Sequence, residues 1–165
     1  MRKPLLFFTI VLAGIGLDLL TKKLAFDKLP WPQTYVLIPN VLEFVHAENH
    51  GVAFSLLAQH PAIILSFTSV AIVLLALFYA RVRRRAQALV LAALALLLIG
   101  ATGNLIDRLA FDFVRDFIYF VPELPVIGHW AVFNVADICI TVGVILFLVS
   151  ELFFSKRPEE NKAVA

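Results

Sequence analysis

Charge is scarce in this chain of 165 residues: 16% are Asp, Glu, Lys or Arg, against 61% that are hydrophobic. With a mean hydropathy of +0.92, that scarcity excludes an ordinary soluble domain, in which about 25% of residues are charged. Cysteine is nearly missing too. The lone Cys139 excludes an intramolecular disulfide and any metal site built from thiolates, and it reads as a small packing residue in an apolar run. No G-x-S-x-G nucleophile turn occurs. His46 and His50 are spaced like zinc ligands, but the glutamate between them is third, Glu48, where the H-E-x-x-H arrangement needs it second. A serine–lysine pair of Ser55 and Lys22 ranks behind other chemistries, since nothing in the sequence brings the two together. No low-complexity segment or internal repeat divides the chain, so a single domain over residues 1–165 is expected.

What the chain has in abundance is long apolar runs: Pro4–Leu20, Pro61–Ala80, Ala86–Gly103 and Trp130–Phe154. A hydrocarbon core needs roughly 17 to 25 helical residues, so these are four candidate membrane spans. The first has the basic start (Arg2, Lys3) of a cleavable leader. No A-x-A site follows, and Asp18, Lys22 and Lys23 close the run, so a retained span is expected. Nine of the 14 basic residues (Arg2, Lys3, Arg81, Arg83, Arg84, Arg85, Lys156, Arg157 and Lys162) fall on one side of such a bundle. By the positive-inside rule that side is the cytoplasm, with both termini there and residues 21–60 and 107–129 on the opposite face. The "RVRRR" cluster reads as a topology anchor, in preference to a nucleic-acid or lipid-headgroup site.

The segment 21–60 has β-branched and aromatic residues around Pro39 and Asn40, which suggests a small hairpin or β element. Trp31, Tyr35, Phe44 and Phe54 suit a membrane interface. The segment 107–129 alternates aromatic and charged residues and reads as either an interfacial helix or an extended stretch. The fold class expected is an all-α integral membrane protein, four transmembrane helices with a small non-cytoplasmic β element and an interfacial segment. The charged tail after Ser155 is expected to be disordered.

Polar residues gather at one end of this bundle. Asp18 and Lys22, four apart, share a helix face and can pair. Asn104, Asp107 and Arg108 occupy one turn at the end of the third run, after Gly100 and Gly103, which permit close helix approach. Asp107 with Arg108 reads as an ion pair closing a helix. Asp116 follows, and Asn134 and Asp137 open the last run. Two carboxyls sharing one proton split their pKa values, leaving one a base for water and the other an acid. Asp116 and Asp137 fit that aspartic-protease chemistry, but separate ion pairs or a proton relay including Asp18 fit these residues too. A non-catalytic structural subunit is a third reading.

Five stretches, in order, resemble the bacterial lipoprotein signal peptidases, or signal peptidase II: "DLLTK" (18–22), "NHGVAF" (49–54), "GATGNLIDR" (100–108), "VRDF" (114–117) and "FNVAD" (133–137). The resemblance implies that Asp116 and Asp137 are a catalytic dyad that cleaves diacylglyceryl-modified prolipoproteins before the lipidated cysteine. It places Asn49, Gly103, Asn104, Arg108, Asn134 and Ala136 at positions that line or support the site, and Asp18, Lys22 and Asp107 among structural polar residues. A β cradle after the first span is implied, as is a segment around Asp116 packed on the membrane surface over the site. Also implied are a cytoplasmic (inner) membrane location, a site near the outer face, a monomer in contact with membrane lipids, no nucleic-acid partner, and neither metal nor organic cofactor. Two features depart from the family pattern: Ala101 after Gly100 where two glycines are common, and a long "PELPVIG" link.

Overall fold

The computed structural model describes residues 2–29, 32–51, 59–123 and 128–154. Helix α1 (Arg2–Lys28) continues well past Leu20, with Lys22 on a face covered by the rest of the molecule and Lys23, Asp27 and Lys28 exposed. Two short strands follow, β1 (Tyr35–Ile38) and β2 (Leu42–Asn49). Helix α2 (Pro61–Val82) opens on a proline, whose missing N–H forfeits no helical bond in the first turn. Helix α3 (Ala88–Phe111) ends at Asp112, a left-handed residue with φ 66°, so Asp107 and Arg108 belong to the helix and not to the loop beyond it. Strand β3 (Val114–Phe120) follows at once, and helix α4 (Val135–Phe154) starts five residues later than Trp130. All four helices are long and apolar enough to cross a membrane.

Helix α3 is the centre of the bundle, packing on α1, α2 and α4. Its covered face is apolar from Ala93 through Ile99 and turns polar at Asn104 and Asp107, both buried. Close approach at that change depends on two glycines. A Cβ on Gly100 would strike the Ala136 carbonyl of α4, and one on Gly103 would strike the Asp18 carboxylate of α1. At the other end Phe7 stacks on Tyr79 at 3.9 Å, over a cluster with Leu94, Leu98 and Ile99. The outward faces carry large apolar side chains such as Leu5, Phe67 and Leu152, as lipid contact requires.

The β element is a three-stranded antiparallel sheet in the order β1-β2-β3. Asn40, with φ 59°, makes the turn between β1 and β2 at the Pro39–Asn40 signal. Residues 114–120, left open between helix and extended, are a strand: β3 pairs Asp116 with Ala47 and Val114 with Asn49. Its second edge takes Phe133, whose N–H donates to the Ile118 carbonyl at 3.0 Å and whose carbonyl accepts from Ile118 at 2.8 Å. That bridge sets Asn134 beside Asp116. The interface role of Trp31 and Phe54, the Ser55 pairing, residues 124–127 of the long link and the tail from Ser155 fall outside the described residues.

A buried charge cluster joins these parts. Lys22 Nζ lies 2.8 Å from Asp18 Oδ2 and 3.5 Å from Asp107 Oδ2, all three side chains being inaccessible to solvent. Asp107 does not pair with its neighbour Arg108; it takes Arg115 of β3, 2.6 Å away, whose guanidinium also lies over the Phe111 ring. Lys22→Ala would leave Asp18 and Asp107 without their shared cation, and a destabilisation of about 3–5 kcal/mol is expected. Lys23→Ala, which breaks an exposed pair with Asp27, should change stability by less than about 1 kcal/mol. Thermal unfolding of both variants in one detergent checks the contrast.

Candidate active site

Arg81, Arg84 and Arg85 lie at one end of the bundle, while Asn49, Asn104, Arg108, Asp116, Asn134 and Asp137 meet at the other with Asp18, Lys22 and Asp107 beside them. Asp116 is brought there by β3, Asp137 by the first turn of α4, Asn104 and Arg108 by α3, and Asn49 by the end of β2. Asn134 is the residue they share. Its side-chain amide donates to Asp116 Oδ1 at 2.6 Å and to Asn104 Oδ1 at 3.2 Å. Its Oδ1 accepts the Asp137 N–H at 3.0 Å, while Asp137 Oδ2 accepts the Asn134 N–H at 3.1 Å. This reciprocal pair is a capping box, with aspartate in the place usually held by glutamate. One helix start therefore fixes the orientation of Asp137, and a single amide ties it to Asp116.

The remaining oxygens have partners as well. Asp116 Oδ2 accepts from Asn49 Nδ2 at 2.9 Å, and Asn49 Oδ1 accepts the Gly51 N–H, which settles which way that amide points. Asp137 Oδ1 accepts from Asn104 Nδ2 at 2.8 Å, and Asn104 Oδ1 in turn accepts from Lys22 Nζ at 2.9 Å. Ala136 enters through its backbone, donating its N–H to Asp18 Oδ1 at 2.8 Å. Asp18 and Asn134 thus satisfy successive N–H groups of the α4 terminus. Arg108 donates to the Gly51 carbonyl at 2.6 Å, and its charge faces both Asp116 and Asp137.

Asp116 is almost wholly buried. Burial first, and the Asp137 carboxylate second, push its pKa up to about 7; the Asn49 and Asn134 hydrogen bonds and the Lys22 charge only partly offset this. The pair is thus built to hold a proton at neutral pH. Among the described residues, no group of three His, Cys, Asp or Glu side chains is placed to hold a metal ion.

Beside the carboxylates runs a groove of about 910 Å3 between α2, α3 and α4. Asn49, Asn104, Arg108 and Asp137 form its polar end, and Phe67, Ala71, Leu97 and Ile140 are among its apolar walls. The helices α2 and α4 meet near their far ends, where Phe78 and Phe147 are 6.2 Å apart, and part toward the carboxylates. Neither the groove residues of α2 nor Arg115 was singled out from sequence. Apolar residues facing a groove look like those facing lipid, but the N-x-x-D cap at Asn134 was a readable signal. His46 stands apart from this site, its ring tilted against Phe26 and its Nδ1 3.1 Å from the Leu29 carbonyl, and His50 packs edge-on against Phe113.

The family model for signal peptidase (SPase) II matches residues 10–153. The lipoprotein signal peptidase of Chlorobaculum tepidum is 38% identical over 160 residues, 92% of this chain and 98% of that one. That of Clostridium tetani is 34% identical over 140 residues, covering 85% and 88% of the two chains. A solved bacterial membrane enzyme superposes with a TM-score of 0.78 at 26% identity, covering 93% of each chain. The four apolar helices accordingly make this a multi-pass protein of the bacterial inner membrane. The chain belongs to the signal peptidase II family of aspartic peptidases, enzymes that remove signal peptides from prolipoproteins.

Proposed function

We propose that Asp116 and Asp137 are the catalytic dyad of this peptidase and that it cleaves the bond before a diacylglyceryl-modified cysteine. The observation that carries this reading is the Asn134 side chain, which ties the buried Asp116 to Asp137 where Asp137 lines the polar end of an apolar groove. Asp137 accepts a proton from water as the water oxygen attacks the scissile carbonyl carbon. Asp116 gives its proton to the carbonyl oxygen, and a neutral diol results. Collapse of the diol returns a proton to Asp116 while Asp137 protonates the departing nitrogen, which releases the signal peptide and the cysteine amine.

The amides have supporting roles. Asn104, held by Lys22, fixes Asp137 Oδ1, and Asn49 fixes Asp116 Oδ2, so neither carboxylate must reorient during reaction. Arg108 ties the Gly51 carbonyl to the site and lends positive charge as the carbonyl oxygen becomes negative. The apolar length of the groove suits a signal-peptide helix or acyl chains lying along α2 and α4 while the scissile bond reaches the carboxylates. The distribution of basic residues supports cytoplasmic termini and a site near the outer face of the membrane.

Purified enzyme should cleave a diacylglyceryl-modified prolipoprotein and leave its unlipidated form intact. Asp116→Asn and Asp137→Asn should each lower kcat by about 10^3-fold or more at an unchanged melting temperature. Most of the activity surviving in either variant would remove the dyad. The pH dependence has a definite sign: the reaction needs the Asp116 proton, held with a pKa of about 7, so kcat/KM should fall as pH rises through that value. A profile flat from pH 6 to 9 would contradict this assignment.

A further inference from the structure

At the end of the bundle away from the carboxylates, the α2–α3 turn and the last turns of α4 enclose a second groove, of about 630 Å3. Arg81, Arg84 and Arg85 line it, with Glu151 as the acidic residue among them, and Phe78, Val82 and Val90 provide apolar surface. None of the three arginines makes an ion pair or side-chain hydrogen bond among the described residues. The first turn of α3, which also borders the groove, carries no acidic residue to neutralise the positive end of that helix.

A serine side chain lies at the same place. Ser150 of α4 is 3% exposed, lines this groove and has no hydrogen-bond partner among the described residues. Thr9 and Thr68, on α1 and α2, return their hydroxyls to the carbonyl four residues back, at 2.9 and 2.8 Å. Ser150 makes no such bond, which leaves its hydroxyl to bond with an occupant of the groove. Guanidinium groups match phosphate oxygens two at a time. The groove also lies where the spans end, so a ligand held there by its phosphate has acyl chains at the depth of Phe78, Val82 and Val90.

We propose that this groove is a binding site for the headgroup of an anionic phospholipid, its phosphodiester held by Arg81, Arg84, Arg85 and Ser150. The arginine cluster then serves in orienting the chain and in holding a lipid of that leaflet beside α2 and α4. A free phosphate shares the recognised group but lacks the acyl chains that the apolar surface receives.

The test is thermal unfolding of the full-length protein in neutral detergent, titrated with phosphatidylglycerol, phosphatidylcholine or inorganic phosphate. Phosphatidylglycerol alone should raise the melting temperature, and Arg84→Gln/Arg85→Gln should weaken the half-saturation at least about tenfold. Arg84→Lys/Arg85→Lys keeps the charge that orients the chain but not the paired donors, and should also respond more weakly than wild type. Retained prolipoprotein cleavage shows that each variant is folded. No response to phosphatidylglycerol, an equal response to phosphatidylcholine or to inorganic phosphate, or undiminished binding by either double variant would overturn the assignment.

Discussion

An ammonium group withdrawn from water organises this molecule. Lys22 must be answered by oxygens wherever it is buried, and they come from Asp18 on its own helix and from Asn104 and Asp107 on α3. Each of these oxygen donors is committed a second time. Asp18 caps α4 through Ala136, Asp107 holds Arg115 and with it the start of β3, and Asn104 reaches Asp137. One buried cation thereby sets the relative positions of the segments that carry the two carboxylates. It also explains why α1 continues as a helix past its last apolar stretch, since Lys22 needs a rigid support at that depth.

The start of α4 shows how little separates structure from chemistry here. Helix ends leave N–H groups without partners, and this one answers them with Asn134, Asp137 and Asp18. The same contacts that cap the helix orient Asp137 and bring Asn134 to Asp116. Cap and carboxylates cannot vary independently, because the side chains that satisfy the helix are those that hold Asp116 and Asp137.

The two ends of the bundle are built on opposite principles. At one, carboxylates are buried and answered by amides and cations of the same chain. At the other, arginines stand exposed around a groove without protein partners among the described residues. Between them α2 leans on α3, meets α4 at the arginine end and leaves it toward the carboxylates. A wedge of that shape leaves the groove at the carboxylate end.

Much of this was legible in the amino-acid order. Long apolar runs can only be helices in a membrane, because no water is present to satisfy a bare backbone. Pro39 and Asn40 announced their turn by the φ that asparagine tolerates, and five short motifs announced the family. Alternating aromatic and charged residues at 114–120 could not announce a strand, because its partners lie at residues 42–49 and 133, far away in sequence. Nor could adjacency reveal that Asp107 turns from Arg108 to Arg115 and Lys22, which depends on what the fold places on each helix face. Sequence by itself determined that carboxylates, amides and cations gather at one end of four spans. Tertiary structure alone decided which oxygen meets which donor, because hydrogen bonds are directional over about 3 Å and the chain fixes only what is near in sequence.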